Sequence, residues 1–205
     1  MGAARILTYF SATPVFMNTP SHYVINLALL GKTVAPNANI ALTLGAIAPD
    51  LPIFIFYAVA KFIYRMPERQ IWSEAYFSPP VQFWVSLGHS FPVAIAGLLL
   101  SIYFQWRLGI AFFASMIGHS LLDIPVHNDD AHRHFFPLTD YKFISPISYW
   151  DVNHHARIVA GFELAFVAIA TPFALGLLKN KFTQGLAISI NLVYIFGYLR
   201  FFIFR

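Results

Sequence analysis

Cysteine is absent from this 205-residue chain, so no disulfide framework exists and any metal must be held by nitrogen and oxygen donors. Charge is scarce as well. Asp, Glu, Lys and Arg make up 11% of the residues, against roughly 25% in soluble domains. The 13 basic residues are scattered singly among apolar stretches and form no stripe that could track a phosphate backbone, which excludes nucleic acid as a partner. Internal repeats, low-complexity tracts and a glycine-rich phosphate loop are also missing.

What the chain has in excess is apolar surface: 58% of it is hydrophobic and 18% aromatic, including 22 Phe and 10 Tyr. So small a domain cannot hide that much, so its solvent is lipid and its first partner a bilayer. Crossing about 30 Å of hydrocarbon takes about 17–25 mostly apolar residues. Four or five stretches qualify. The first, Ile40 to Ile63, is interrupted at Pro49-Asp50-Leu51-Pro52, where two prolines remove backbone donors, and reads as a broken helix. Val81 to Gln105 carries no formal charge but contains His89, and Leu108 to Asp123 is short for a full crossing. Ile158 to Leu178 holds Glu163 near its start, and a basic turn at Lys179 to Lys181 leads into Phe182 to Phe202. Ahead of these, Ser21 to Leu30 reads as a short helix at the membrane surface or re-entering it. Residues 1–16 read as a disordered or mis-called extension, since Met17 opens a natural-looking start and no cleavage signal precedes it. The expected fold is all-α: residues 17–205 as one integral membrane bundle of four or five transmembrane helices with a short N-terminal surface helix.

One long connection, 124–157, separates the third and fourth spans. It holds five histidines and a set of aromatics too dense for a flexible tether. Counting Lys and Arg by side gives eight on the face bearing this loop and five on the other, so the loop leans cytoplasmic.

The chemistry gathers at one end of the helices. His119 and Asp123 lie four apart, on one helix face, and Pro125 then ends the helix before His127. The resulting His-x3-Asp-x3-His can set two imidazoles and a carboxylate around one cation. Zinc accepts such a set foremost, and manganese or iron also fit. His22, Asp50, His89 and Glu163 are ionisable groups at or near membrane depth, where each needs a partner or a wet cavity. The stretch His127 to His134 packs three histidines and two aspartates into eight residues. His132 and His134 would add metal donors, Asp129 or Asp130 a water-activating base, and Arg133 a grip on an anionic group such as phosphate. Plainer readings stand beside these. Asp50 could cap the helix restarting after Pro49, Glu163 could neutralise Arg157 or Lys142, Asp129 and Asp130 could be solvated turn residues, and His154 and His155 read as hydrogen-bonded or interfacial side chains.

The order His22, Gly45-Ala46-Ile47-Ala48-Pro49-Asp50, His89-Ser90, His119-Ser120-Leu121-Leu122-Asp123 resembles the bacterial membrane-bound metal-dependent hydrolases typified by YdjM. It is also similar, distantly, to the zinc-dependent phospholipase C family. That resemblance spans roughly residues 17–135. It implies His22, Asp50, His89, His119 and Asp123 as metal ligands, with His127 alongside, and a bound water that attacks a phosphodiester or another lipid-borne group. It also implies a bacterial inner membrane or a cyanobacterial plasma or thylakoid membrane. The phospholipase pattern ends in a helix carrying His-x3-Glu; the nearest equivalent here is His155 with Glu163, eight apart. The segments 128–137 and 145–151 look like a cyanobacterial subgroup often labelled cobalamin biosynthesis protein CobQ, but no phosphate loop or cysteine nucleophile supports that chemistry. Two non-hydrolytic classes share the donor set: a membrane scaffold or assembly factor with a structural metal, and a divalent-metal carrier.

Overall fold

The structure is a computed structural model and describes residues 19–34 and 37–204. The expected extension at 1–16 lies outside the described residues. Among the described residues the regular elements are all helical. In chain order they are α1 (Thr19–Leu30), α2 (Asn39–Ile47), α3 (Leu51–Ala58), α4 (Glu68–Ser73), α5 (Pro79–Gly88), α6 (Phe91–Tyr103), α7 (Arg107–Asp123), α8 (Ala156–Leu177) and α9 (Lys181–Tyr198). A π-helical turn extends α3 over Val59–Ile63 and another extends α9 over Leu199–Ile203.

Three segments, Arg107–Val126, Ala156–Leu177 and Lys181–Ile203, are long and apolar enough to cross a membrane. Two more candidates are bent pairs: α2 with Leu51–Ile63 turns through 59°, and α5 with α6 through 42°. The break at Pro49-Asp50 was legible in the sequence; the one at His89-Ser90 was not. There the Ser90 hydroxyl accepts from the Val93 amide at 3.1 Å and caps α6, while Pro92 cannot donate to continue α5.

Large apolar side chains face outward. On α8, Phe162, Phe166, Ile169 and Phe173 form an exposed stripe at helical spacing, while the opposite face buries Ala156, Ala160, Val167 and Ala174. Large apolar groups outside and small ones inside is the pattern of helices that pack closely within a bilayer. Polar pins join them: Asn191 of α9 donates to the Thr171 hydroxyl of α8 at 2.6 Å, and Asn26 of α1 donates to the Ser115 carbonyl of α7 at 2.8 Å.

The first helix departs from expectation. It is not a surface helix but the centre of the bundle, packed against α2, α7 and α8, with Val24 and Leu27 fully buried and Asn26 2% exposed. Its low amphipathicity has a physical reason: a helix surrounded by other helices needs no polar face. Two glycines set the approach of the elements around it. A Cβ on Gly45 would lie 2.1 Å from the Phe112 carbonyl oxygen, so only glycine lets α2 lie against α7. A Cβ on Gly88 would lie 2.7 Å from the Pro49 carbonyl oxygen, so glycine also lets the two helix breaks touch.

Candidate metal centre

Each break positions a ligand by freeing a backbone group. In an unbroken α2 the Ala46 carbonyl would accept from the Asp50 amide; here that amide turns to the Ile47 carbonyl at 3.1 Å. The Ala46 carbonyl instead faces His119 Nδ1 at 2.7 Å. At the second break the Val93 amide goes to Ser90, and the His89 carbonyl accepts from the Ser120 hydroxyl at 3.2 Å and faces His134 Nδ1 at 3.3 Å. His89 Nδ1 itself lies 2.8 Å from the Val85 carbonyl. A carbonyl only accepts, so Nδ1 of His89 and of His119 carries a proton, and in the neutral ring Nε2 presents its lone pair.

Those Nε2 atoms converge on acids. His89 Nε2 lies 3.3 Å from Asp50 Oδ1 and 3.4 Å from Asp123 Oδ2; His119 Nε2 lies 3.6 and 3.1 Å from the same two oxygens. The opposite oxygen of Asp123 faces His22 Nε2 at 2.9 Å and His127 Nε2 at 3.5 Å. His22, His89, His119 and Asp123 are at most 1% exposed. Although these separations are short, Nε2 of His22, His89 and His119 makes no aligned hydrogen bond. Buried lone pairs and carboxylates pointed at one another repel unless a proton or a metal ion lies between them. Donors that share one zinc ion at about 2.0–2.1 Å stand about 3.3–3.4 Å apart, and Asp50 and Asp123 belong to separate overlapping groups rather than to one four-donor tetrahedron. The four separations among His89, His119, Asp50 and Asp123 run from 3.1 to 3.6 Å.

Three overlapping groups have ligand atoms within 4.8 Å of one another: His22, His119 and Asp123; Asp50, His89 and His119; and His89, Asp123 and His132. The eight proposed ligands therefore divide. His22, Asp50, His89, His119, Asp123 and His132 come together, His127 joins them through Asp123, and His134 stands beside them without entering any group. His132 stacks on His89 with ring centroids 3.9 Å apart. Burial, reinforced by His89 and His127, pushes the His132 imidazole well below its ordinary range. Burial and His89 push His134 down to about 4. Both rings stay neutral near pH 7. His127 moves the other way, because the charges of Asp130 and Asp123 outweigh burial and raise it well above the usual value.

The loop candidates take different places. Asp130 Oδ2 lies 2.9 Å from His127 Nδ1, the arrangement that steadies a ligating imidazole from behind. Asp129 is exposed in the same turn, yet surrounding protein and the Asp130 charge raise its carboxyl to about 6. Arg133 ties the loop to α5: Nε donates to the Ser86 hydroxyl at 2.7 Å and an Nη to the Gln82 carbonyl at 2.9 Å, while the other Nη meets Asp140 at 2.7 Å. Asp50 does not cap α3 with its side chain; it accepts from the Thr19 hydroxyl. Glu163 pairs with neither Arg157 nor Lys142. Its Oε1 accepts from Ser21 at 2.7 Å and Tyr194 at 3.0 Å. Thr19, Ser120 and the Tyr149 ring, 4.9 Å from that of His127, were invisible to sequence reasoning, since each meets its partner across more than 20 residues without a local spacing signal. Comparisons with protein-family models, with curated proteins and with solved structures return no match.

Proposed function

We propose that this protein is a membrane-embedded hydrolase that depends on a divalent metal, zinc foremost, and acts on a phosphoester or a lipid-borne group. The observation that carries the reading is the convergence of buried, unaligned imidazole Nε2 atoms on Asp50 and Asp123 at separations of 3.1 to 3.6 Å. A nitrogen–oxygen donor set with two acids suits Lewis-acid chemistry, and the cation, when bound, would activate water and polarise an ester oxygen. The chain's own residues do the rest. Carbonyls of Val85 and Ala46 fix the tautomers of His89 and His119, and Asp130 holds His127. Because Asp130 is engaged in that way, Asp129 is the better candidate to take up a proton.

The test is elemental analysis of the detergent-purified chain alongside hydrolysis of bis(p-nitrophenyl) phosphate and a short-chain phospholipid. Wild type should hold near-stoichiometric metal and turn over one of these probes, and His119→Ala and Asp123→Ala should lose both properties. Unchanged metal content in both variants removes the centre; metal without turnover removes the hydrolase. One observation favours a carrier as the second reading: both bent candidate spans break at the cluster, as helices do where transported ions are held. Uptake of radiolabelled zinc into proteoliposomes, with no hydrolysis, would select it.

A further inference from the structure

The long loop has two halves of opposite character. From His127 to His134 its histidines turn inward and are buried. From Phe135 to Ile144 it turns outward: Phe135, Leu138, Tyr141, Phe143 and Ile144 are 43, 79, 58, 43 and 65% exposed. Only Asp140 and Lys142 are charged in that stretch, and Asp140 is paired with Arg133. The segment is not a loose tether. The Phe91 amide donates to the His134 carbonyl at 2.8 Å, the Ser90 hydroxyl donates to the Phe136 carbonyl, and the Ser145 amide donates to the His127 carbonyl at 2.9 Å. Both ends are therefore fixed to the structure while the apolar side chains between them point away from it.

This apolar surface continues into a helix that belongs to a candidate crossing. Phe136 meets Phe83 of α5 edge-on with ring centroids 5.5 Å apart, and the neighbouring Trp84 is 57% exposed. We propose that residues 135–144 form a finger seated in the headgroup–acyl boundary of the bilayer, at the end of the bundle that holds the His/Asp cluster. Physical limits on both sides fix that depth. Farther out, five large apolar groups would face water; farther in, a non-helical backbone would leave amides and carbonyls unsatisfied in hydrocarbon. Tyr141 and Lys142 suit the boundary, each placing an apolar stem inward and a polar tip toward the headgroups. Because the finger is fastened to the α5–α6 break, that break lies near the same boundary. The 42° bend there tilts α5 away from the axis of α6.

The absence of cysteine makes the test direct, because a single introduced thiol takes a spin label uniquely. Full-length Leu138→Cys and Ile144→Cys are labelled in phosphatidylcholine–phosphatidylglycerol bilayers and their accessibility to oxygen and to a nickel chelate is compared. Asn153→Cys, exposed in the same loop, is the aqueous reference, and Phe166→Cys on α8 the lipid reference. The oxygen-to-nickel ratio at 138 and 144 should stand several-fold above that at 153 and below that at 166. Ratios at 138 and 144 equal to that at 153 would overturn the proposal. So would shielding from both reagents with dipolar broadening, which would show a second copy covering the finger. If Leu138→Cys disturbs folding, Tyr141→Cys tests the same depth, and the measurement needs neither metal nor activity.

Discussion

Asp151 and Asp123 each stand among histidines a turn away, and their surroundings make opposite use of the same residue types. At Asp151 the acid meets His154 Nδ1 at 2.6 Å and also accepts from the Asn153 amide at 2.9 Å, closing a short turn in which every bond is aligned. The His154 side chain is 40% and that of Asp151 16% exposed, so the pair is half-buried and self-sufficient. At Asp123 the Nδ1 atoms of His89 and His119 are already committed to backbone carbonyls, and it is Nε2 that faces the acid, buried and without an aligned bond. A His–Asp pair becomes a candidate site when the scaffold has taken the other nitrogen and left the acid with lone pairs for company.

The largest effect should come from Asp123, which faces four imidazoles. Asp123→Asn keeps the shape and removes the charge. It should abolish stoichiometric metal by elemental analysis and lower the melting temperature in detergent, because the stabilisation that a bound cation adds is lost. Retention of metal by this variant would erase the contrast with Asp151. Chelation should come next. Dialysis against EDTA should lower the melting temperature of wild type, since a ligand at a hundredfold excess over its Kd adds about 2.7 kcal/mol, and should leave Asp123→Asn unmoved. A smaller effect is expected behind the donors: Asp130→Asn should weaken metal affinity by about 10–100-fold while sparing the fold, as competition with a zinc-sensitive dye would read.

How much of this was legible in the sequence follows from which signals are local. His119 with Asp123 and Pro49-Asp50 could be found because helical spacing and proline breaks are written in adjacent residues, and the apolar runs located the helices for the same reason. The central place of α1 was not legible, because an evenly apolar dozen residues reads alike at a surface and in a core. The break at His89 was missed although its signals are local, Ser90 capping the Val93 amide and Pro92 lacking a donor, because they lie inside an uncharged apolar run of spanning length. Arg133 shows the limit of local signals: its charge suggested an anion, while its hydrogen bonds to Ser86 and Gln82 depend on a helix more than 40 residues away.

The smallest expected effect tests the comparison from its other side. Asp151→Asn leaves a side chain that can still accept from the Asn153 amide, so the turn should survive and His154 lose only its charged partner. A half-buried pair at the surface of this kind is worth about 1 kcal/mol, and the cost should sit near that value. Metal content and dye-competition affinity should equal those of wild type. A fall in metal content on changing Asp151 would mean that the two acids act on one centre, and that the loop after the finger belongs to the site.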